Sequence, residues 1–254
     1  MHLENIILFD GIYAELYDEM YSSLSPADEF AQVESFCNLP KKINGNIIDV
    51  GGGTGRFSRI LSERCKTVYL VEPSIEMIQI ARNKLFKISN IEYLNKKAEE
   101  FKVDNFASAA FLFFSVASYF NSPQIFETSV KNITSNLRPG SFIYFDIWHA
   151  NEDQLLKLPI TTKTFLYKNQ KYLRQIEPIR KSLVEIQEGF YNIKLSIEFT
   201  NLETNLKYIE VHNLCLVTES WLISFFGKFP EIINYKIRPN PYKVNNLEVY
   251  MTIN

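Results

Sequence analysis

Two hydrophobic periods divide this chain. The run Asn46-Ile47-Ile48-Asp49-Val50 is short and almost continuously apolar, as a parallel strand buried on both faces must be. It breaks into four glycines and a threonine before a helical pattern opens at Arg56-Phe57. Similar strand and helix patterns alternate downstream: Val68-Tyr69-Leu70-Val71, a helix over 74–86 started by Ser74 and Glu76, Ile91-Glu92-Tyr93-Leu94, a strand over 108–114, a helix over 124–137 stopped by Leu137-Arg138-Pro139-Gly140, and a strand over 141–146. This order predicts an α/β fold, a parallel sheet with helices on both faces. Residues 12–37 also read as helical, with Ile12, Leu16 and Met20 at turn spacing and a second start at Ser25-Pro26 followed by Asp28 and Glu29.

Beyond residue 160 the period falls to two. Ile193-Lys194-Leu195-Ser196-Ile197-Glu198-Phe199 alternates strictly and predicts a half-buried antiparallel strand, turning at 201–205 into a partner over 206–217. Val211-His212-Asn213-Leu214 lies on that partner, with His212 read as structural. Thr218 caps a helix over 219–227, and strands at 232–237 and 247–253 close the sheet as an antiparallel pair. The expected organisation is therefore a core over 1–150, an antiparallel β insertion over 151–217 on the substrate side, and a return to the core over 218–254.

Composition narrows the function classes. The 254 residues are 46% hydrophobic and carry a net charge of −2 with no basic stripe, which argues for a globular protein with a small-molecule partner and against nucleic acid. Cys37, Cys65 and Cys215 are odd in number and lack metal-ligand spacing, so neither a disulfide nor a zinc site is expected and a reducing cytoplasm is. Met1-His2-Leu3-Glu4-Asn5 has no basic n-region of a signal peptide. Residues 105–126 are uncharged and near spanning length, but Ser108, Ser115, Ser118, Asn121, Ser122 and Pro123 interrupt them, so a buried strand with its loop is expected rather than a membrane segment.

The glycine turn holds the candidate chemistry. Glycines between a strand and a helix give up packing and let a ligand approach the backbone. The spacing Gly51-x-Gly53-x-Gly55, preceded by Asp49, is tighter than the dinucleotide pattern G-x-G-x-x-G. The second strand ends at Glu72, where a carboxylate can accept both hydroxyls of a ribose. With these residues in this order the chain resembles the class I S-adenosylmethionine-dependent methyltransferases. The resemblance implies a seven-stranded Rossmann-like sheet and S-adenosyl-L-methionine as cofactor. It implies cofactor contacts from Tyr13, Tyr17, Asp49, Gly51, Gly53, Gly55, Glu72, Met77, Ala98, Glu99, Phe114 and Ser115. Either Glu99 or Glu100 is the adenine-side acid, in a segment similar to the family's third motif. The family often opens its fourth strand with Asp, where this chain has Ala107 or Ser108.

Tyr17-Asp18-Glu19-Met20-Tyr21, Ser115-Val116-x-x-Tyr119 and the insertion together resemble the N,N-dimethyltransferases of nucleotide-linked amino sugars. That resemblance implies an opening helix across the cofactor pocket; an aromatic helix packed on the sheet is the other reading. The catalytic candidates are Tyr21, Tyr119 and His149, the last at the edge of the crevice beyond Asp146 and Trp148. Methyl transfer is an in-line displacement in which alignment in a dry pocket supplies much of the rate. An amine acceptor needs only a neutral lone pair, whereas a hydroxyl needs a firmer base, for which His149 is the candidate. The expected partner is an amino-sugar or hydroxyl acceptor, the expected state a monomer or homodimer, and no metal is expected. An NAD oxidoreductase is disfavoured by the glycine spacing, and a non-catalytic ligand-binding protein by the intact acidic and glycine set.

Overall fold

The computed structural model describes residues 9–150, 158–243 and 245–254. The opening residues Met1 to Asn5 and the start of the expected insertion, 151–157, lie outside them. Two sheets form the body. The larger contains β1 (Asn46–Val50), β2 (Val68–Val71), β3 (Ile91–Leu94), β4 (Ala107–Leu112), β5 (Leu137–Trp148), β10 (Ile232–Pro239) and β11 (Asn246–Ile253) in the order β10-β11-β5-β4-β1-β2-β3. Neighbours from β5 to β3 pair in parallel, and β11 pairs antiparallel with both β5 and β10. The order reverses between β1 and β4, which opens a crevice at the carboxyl ends of the strands.

Alternation within the buried strands sends successive side chains to opposite faces. Ile47, Val68, Leu70, Phe111 and Tyr144 pack with α2 (Pro26–Cys37), α3 (Arg56–Ser62) and α4 (Ile75–Lys84). Ile48, Val50, Tyr69, Val71 and Phe145 pack with α5 (Pro123–Ser135) and α6 (Glu219–Phe226). Helices thus cover both faces of the seven-stranded sheet. Ser25, Ser74 and Thr218 each accept a backbone N–H at the start of their helices, so those capping signals act as expected, and Ser122 does the same for α5.

Two boundaries differ from the sequence expectation. β4 stops at Leu112 because Phe114 and Ser115 both turn to positive φ, 64° and 61°. The segment Leu137-Arg138-Pro139-Gly140 does not precede β5 but belongs to it: Ala107 pairs with Leu137 and Ala109 with Phe142, so the extra residues bulge outward with Gly140 at φ 78°.

The second sheet has four strands where the period revealed two. β6 (Thr161–Tyr167), β7 (Gln170–Gln187), β8 (Phe190–Asn201) and β9 (Lys207–Val217) run antiparallel in sequence order. β6 escaped the pattern because its half-buried positions include Lys163 and its exposed ones Leu166, and β7 because much of it beyond Pro178 is exposed. Lys168 and Asn169, both at positive φ, make the two-residue turn between them. α1 (Gly11–Met20) fills the space between the sheets, burying Tyr13, Leu16 and Met20 in a cluster with Met77, Tyr172, Ile197 and Phe199.

Candidate active site

Main-chain geometry builds one wall. After β1 the chain turns at Gly51, whose φ of 68° and lack of a Cβ are both required, since a Cβ would stand 2.5 Å from Val116 Cγ2. The Gly51 and Gly52 amides donate to the Val71 carbonyl at 2.7 and 3.1 Å, tying the loop to β2. The next amide, of Gly53, donates to Glu72 Oε2 at 3.1 Å, while Ser74 N donates to Glu72 Oε1 at 2.9 Å. Glu72 and Asp49 are both buried, at 5% and 2% exposure. Burial pushes each carboxyl up to about 7, opposed at Glu72 by its two amide donors and at Asp49 by the Ser58 hydroxyl 2.5 Å away.

A second turn follows β4. Ser115 donates from N and Oγ to the two oxygens of Asp146 at 2.9 and 3.0 Å. Asn246 Nδ2 donates to Ser115 Oγ and to Asp146 Oδ2, both at 2.9 Å. Lys243 reaches Asp146 at 3.3 Å and Glu29 at 3.4 Å, and sits 4.4 Å from the centre of the Phe114 ring. Burial alone would lower the Lys243 ammonium, but the two carboxylates outweigh it and hold it above its usual value. This network over-determines the left-handed pair Phe114-Ser115, which would otherwise be strained.

Helix α1 crosses the crevice. Thr54 Oγ1 donates to Asp18 at 2.7 Å, and Arg56 donates to the carbonyls of Tyr21 and Leu24 at 3.0 and 2.9 Å, fastening the helix and the turn after it to the glycine loop. Lys163 on β6 donates to the Met20 carbonyl at 2.6 Å from the other side. The phenols of Tyr13 and Tyr17 on α1, and of Tyr21 just after it, lie on the inner side: Tyr13 packs edge-on to Phe199 at 5.2 Å, and Tyr21 edge-on to Phe114 at 4.8 Å. Burial raises Tyr13, Tyr17 and Tyr119 above the ordinary phenol value, so they stand as neutral donors and acceptors.

These walls enclose one cavity of about 1050 Å³, at the top of the ~300–1,000 Å³ range for a single small ligand. The loop Asp49–Thr54, Glu72, Met77, Ala98 and Glu99 line one end; Tyr13, Tyr17, Tyr21, Phe114, Ser115 and Tyr119 line the middle. Ile176, Lys194, Leu195, Ile197 and the run Val211–Leu214 close it from the antiparallel sheet. Of the two acids left open after β3, Glu99 lies on the cavity and Glu100 is not among its lining residues.

Two expected residues are placed elsewhere. Gly55 does not line the cavity; it caps the start of α3 at φ 78°, and a Cβ there would clash with Leu85 Cδ1, so its work is helix packing. His149 also lies off the cavity, with its ring Nδ1 3.0 Å from the Val217 carbonyl and its amide bonded to Asn245 O. Among the described residues the histidine on the cavity is His212, fully buried, with Nδ1 2.8 Å from the Tyr119 hydroxyl and Nε2 2.9 Å from Glu210 Oε2. One signal could have found it: His212 shares strand parity with Leu214 and Leu216, and so faces inward with them. Lys243 and Asn246 had no such signal, because a loop and a strand end far along the chain bring them to Asp146.

Residues 47–140 match the family model described as a methyltransferase domain. An rRNA adenine N-6-methyltransferase from Limosilactobacillus reuteri is 37% identical over 65 residues, which are 26% of this chain and 27% of that protein. The chain spans from 27% to 56% of the length of the first curated relatives it matches. Among solved structures, S-adenosylmethionine-bound CalS10, an amino pentose methyltransferase from Micromonospora echinaspora, superposes with TM-score 0.71 at 16% identity, over 98% of this chain and 99% of that one. The sugar N-methyltransferase KedS8 from Streptoalloteichus sp ATCC 53650 superposes with TM-score 0.69 at 14% identity, over 100% and 98%. The fold is that of the class I S-adenosylmethionine-dependent methyltransferases, and it extends through the antiparallel sheet.

Proposed function

We propose that this chain, which carries a methyltransferase domain, transfers a methyl group from S-adenosyl-L-methionine to the amino group of a sugar linked to a nucleotide. The observation that carries the reading is the single cavity shared by the glycine loop, the aromatic face of α1 and the inner face of the antiparallel sheet. Its loop end fits the cofactor: the Glu72 carboxylate lies on the wall, and beyond its own chain neighbours the nearest atom to where a Gly53 Cβ would stand is Gly51 O at 3.9 Å, leaving that backbone open to close approach. Glu72 would hold the ribose hydroxyls, Ala98 and Glu99 the adenine side, and Ser115 with Phe114 the amino-acid end. Bound there, the cofactor supplies an electrophilic methyl on a sulfonium. The phenol faces of α1 suit a cationic centre and keep water away from it. The division into core, insertion and returning core belongs to this reading, with the insertion choosing the acceptor.

A second reading, methylation of a hydroxyl, is favoured by one observation, the hydrogen-bonded His212 and Tyr119 facing the cavity. Calorimetry with S-adenosylmethionine and S-adenosylhomocysteine, followed by mass spectrometry after incubation with a nucleotide-linked amino sugar and its hydroxyl counterpart, tests both. Mass gain in steps of one methyl on the amino compound alone is the expected result; gain on the hydroxyl compound alone replaces it with the second reading. Binding without transfer to either, or transfer to ribosomal RNA alone, overturns both.

A further inference from the structure

Methyl transfer to an amine requires more than alignment. At neutral pH a sugar amine is an ammonium without a lone pair, and it must lose a proton inside a cavity lined largely by apolar and aromatic side chains. The antiparallel sheet places an acceptor chain there. Glu210 and His212 sit two apart on β9, hence on one face, and Tyr119 comes to them from the 3-10 turn Val116–Tyr119 after β4. A carboxylate only accepts, so Glu210 Oε2, 2.9 Å from His212 Nε2, assigns the ring proton to Nε2. Nδ1 is then an acceptor, and the Tyr119 hydroxyl 2.8 Å away donates to it. This leaves the lone pairs of Tyr119 Oη as the polar end of the chain on the cavity. Glu210 Oε2 also accepts the Phe9 amide at 3.3 Å, and the Phe9 ring packs edge-on to His212 at 5.0 Å, so Phe9 steadies both members of the pair.

We propose that Tyr119, His212 and Glu210 form a proton relay that deprotonates the acceptor, with Tyr119 as the catalytic residue touching it and His212 and Glu210 as positioning residues behind. The proposal rests on the methyltransferase reading above. As the acceptor ammonium gives one proton to Tyr119 Oη, the Tyr119 hydroxyl proton passes to His212 Nδ1. The imidazolium so formed lies against the Glu210 carboxylate, and charge is conserved. The freed nitrogen lone pair then forms the N–C bond while the C–S bond breaks, its pair remaining on sulfur. Glu210 has a side-chain exposure of 24%, against none for His212, which gives the proton its way to solvent. The raised phenol value fits a residue that passes a proton and does not store charge. Among the described residues, the titratable groups facing His212 are Glu210 on its own strand, Tyr119 from the turn and Tyr13 from α1, whose ring lies 5.3 Å away; its direct partner on β8 is the apolar Leu195.

Two measurements test this. Nitrogen-15 spectra of the imidazoles in the unliganded protein should show His212 as the Nε2–H tautomer, shifting toward an even mixture in Glu210→Gln; an Nδ1–H ring in the unsubstituted protein overturns the relay without reference to turnover. Methyl transfer to a nucleotide-linked amino sugar should fall about 100-fold at pH 6.5 in Tyr119→Phe and Glu210→Gln, a loss at the lower end of general-base effects. The deficit should shrink below about 5-fold at pH 9.5, where solution hydroxide deprotonates the amine, with the S-adenosylmethionine affinity of each variant within about 2-fold of the unsubstituted protein's at the same pH. A deficit that is the same at both pH values overturns the relay alone. No transfer to any amine or hydroxyl by the unsubstituted protein overturns the functional reading beneath it, and is told apart by the tautomer, which that failure leaves in place.

Discussion

The two walls of the cavity are made in different ways. The parallel-sheet wall works through main chain: Gly51, Gly53, Phe114 and Ser115 all have positive φ, and buried carboxylates hold the amides of Gly53, Ser74 and Ser115. The antiparallel wall has ordinary extended backbone and works through side chains, with His212, Leu195 and Lys194 set by strand register. The first can serve one ligand well but tolerates little change in its glycines and acids. The second can exchange a side chain on its cavity face without moving the backbone. The proposed function, with a fixed cofactor and a variable acceptor, calls for that division.

The strongest way to break the comparison is on the main-chain wall. Glu72→Ala removes the acceptor of the Gly53 and Ser74 amides and the proposed ribose contact, so calorimetry should show S-adenosylmethionine affinity reduced about 100-fold, the scale of two lost hydrogen bonds to a charged group. A smaller effect comes from pH. Glu72 titrates near 7 because it is buried, and hydroxyl donors favour its ionised form, so affinity is full above that value and lost below it. With about one carboxylate in ten ionised at pH 6, affinity there should be ~10-fold lower than at pH 8, and Glu72→Gln should flatten the step.

Gly55 separates folding from binding within the same loop. Gly55→Ala should cost about 1–2 kcal/mol in chemical denaturation, from the left-handed φ and the Leu85 contact. Its S-adenosylmethionine affinity should stay unchanged. On the other wall, Lys194→Ala should raise the acceptor KM about 3-fold, as a rim charge does. If the cofactor affinity moved instead, the division between the walls would be wrong. The smallest effect is expected for His149→Asn, under about 2-fold in kcat/KM, because that ring packs away from the cavity; a loss as large as that of the Tyr119 variant would return it to the site.

Legibility followed the same division. A turn that needs positive φ must use glycine or accept strain, so Gly51 and Gly53 were readable beside Asp49 and Glu72. Phe114 and Ser115 adopt the same conformation without glycine, because Asp146 and Asn246 grip Ser115 from elsewhere in the chain. β8 and β9 were readable from their alternation, whereas β6 puts Lys163 on its half-buried face and Leu166 on its exposed one, and the outer half of β7 is largely exposed.

By itself the amino-acid sequence determined the alternation of strands and helices, the glycine turn with its two acids, and the face of β9 on which His212 lies. These are local properties, set by period, capping and backbone sterics within a few residues. Tertiary structure alone decided that His212 rather than His149 meets the cavity, that Tyr119 and Glu210 meet opposite sides of its ring, and that Lys243 and Asn246 reach Asp146. Those outcomes depend on which strand pairs with which and where two sheets close on one helix, and periodicity along a chain carries no record of what will stand opposite.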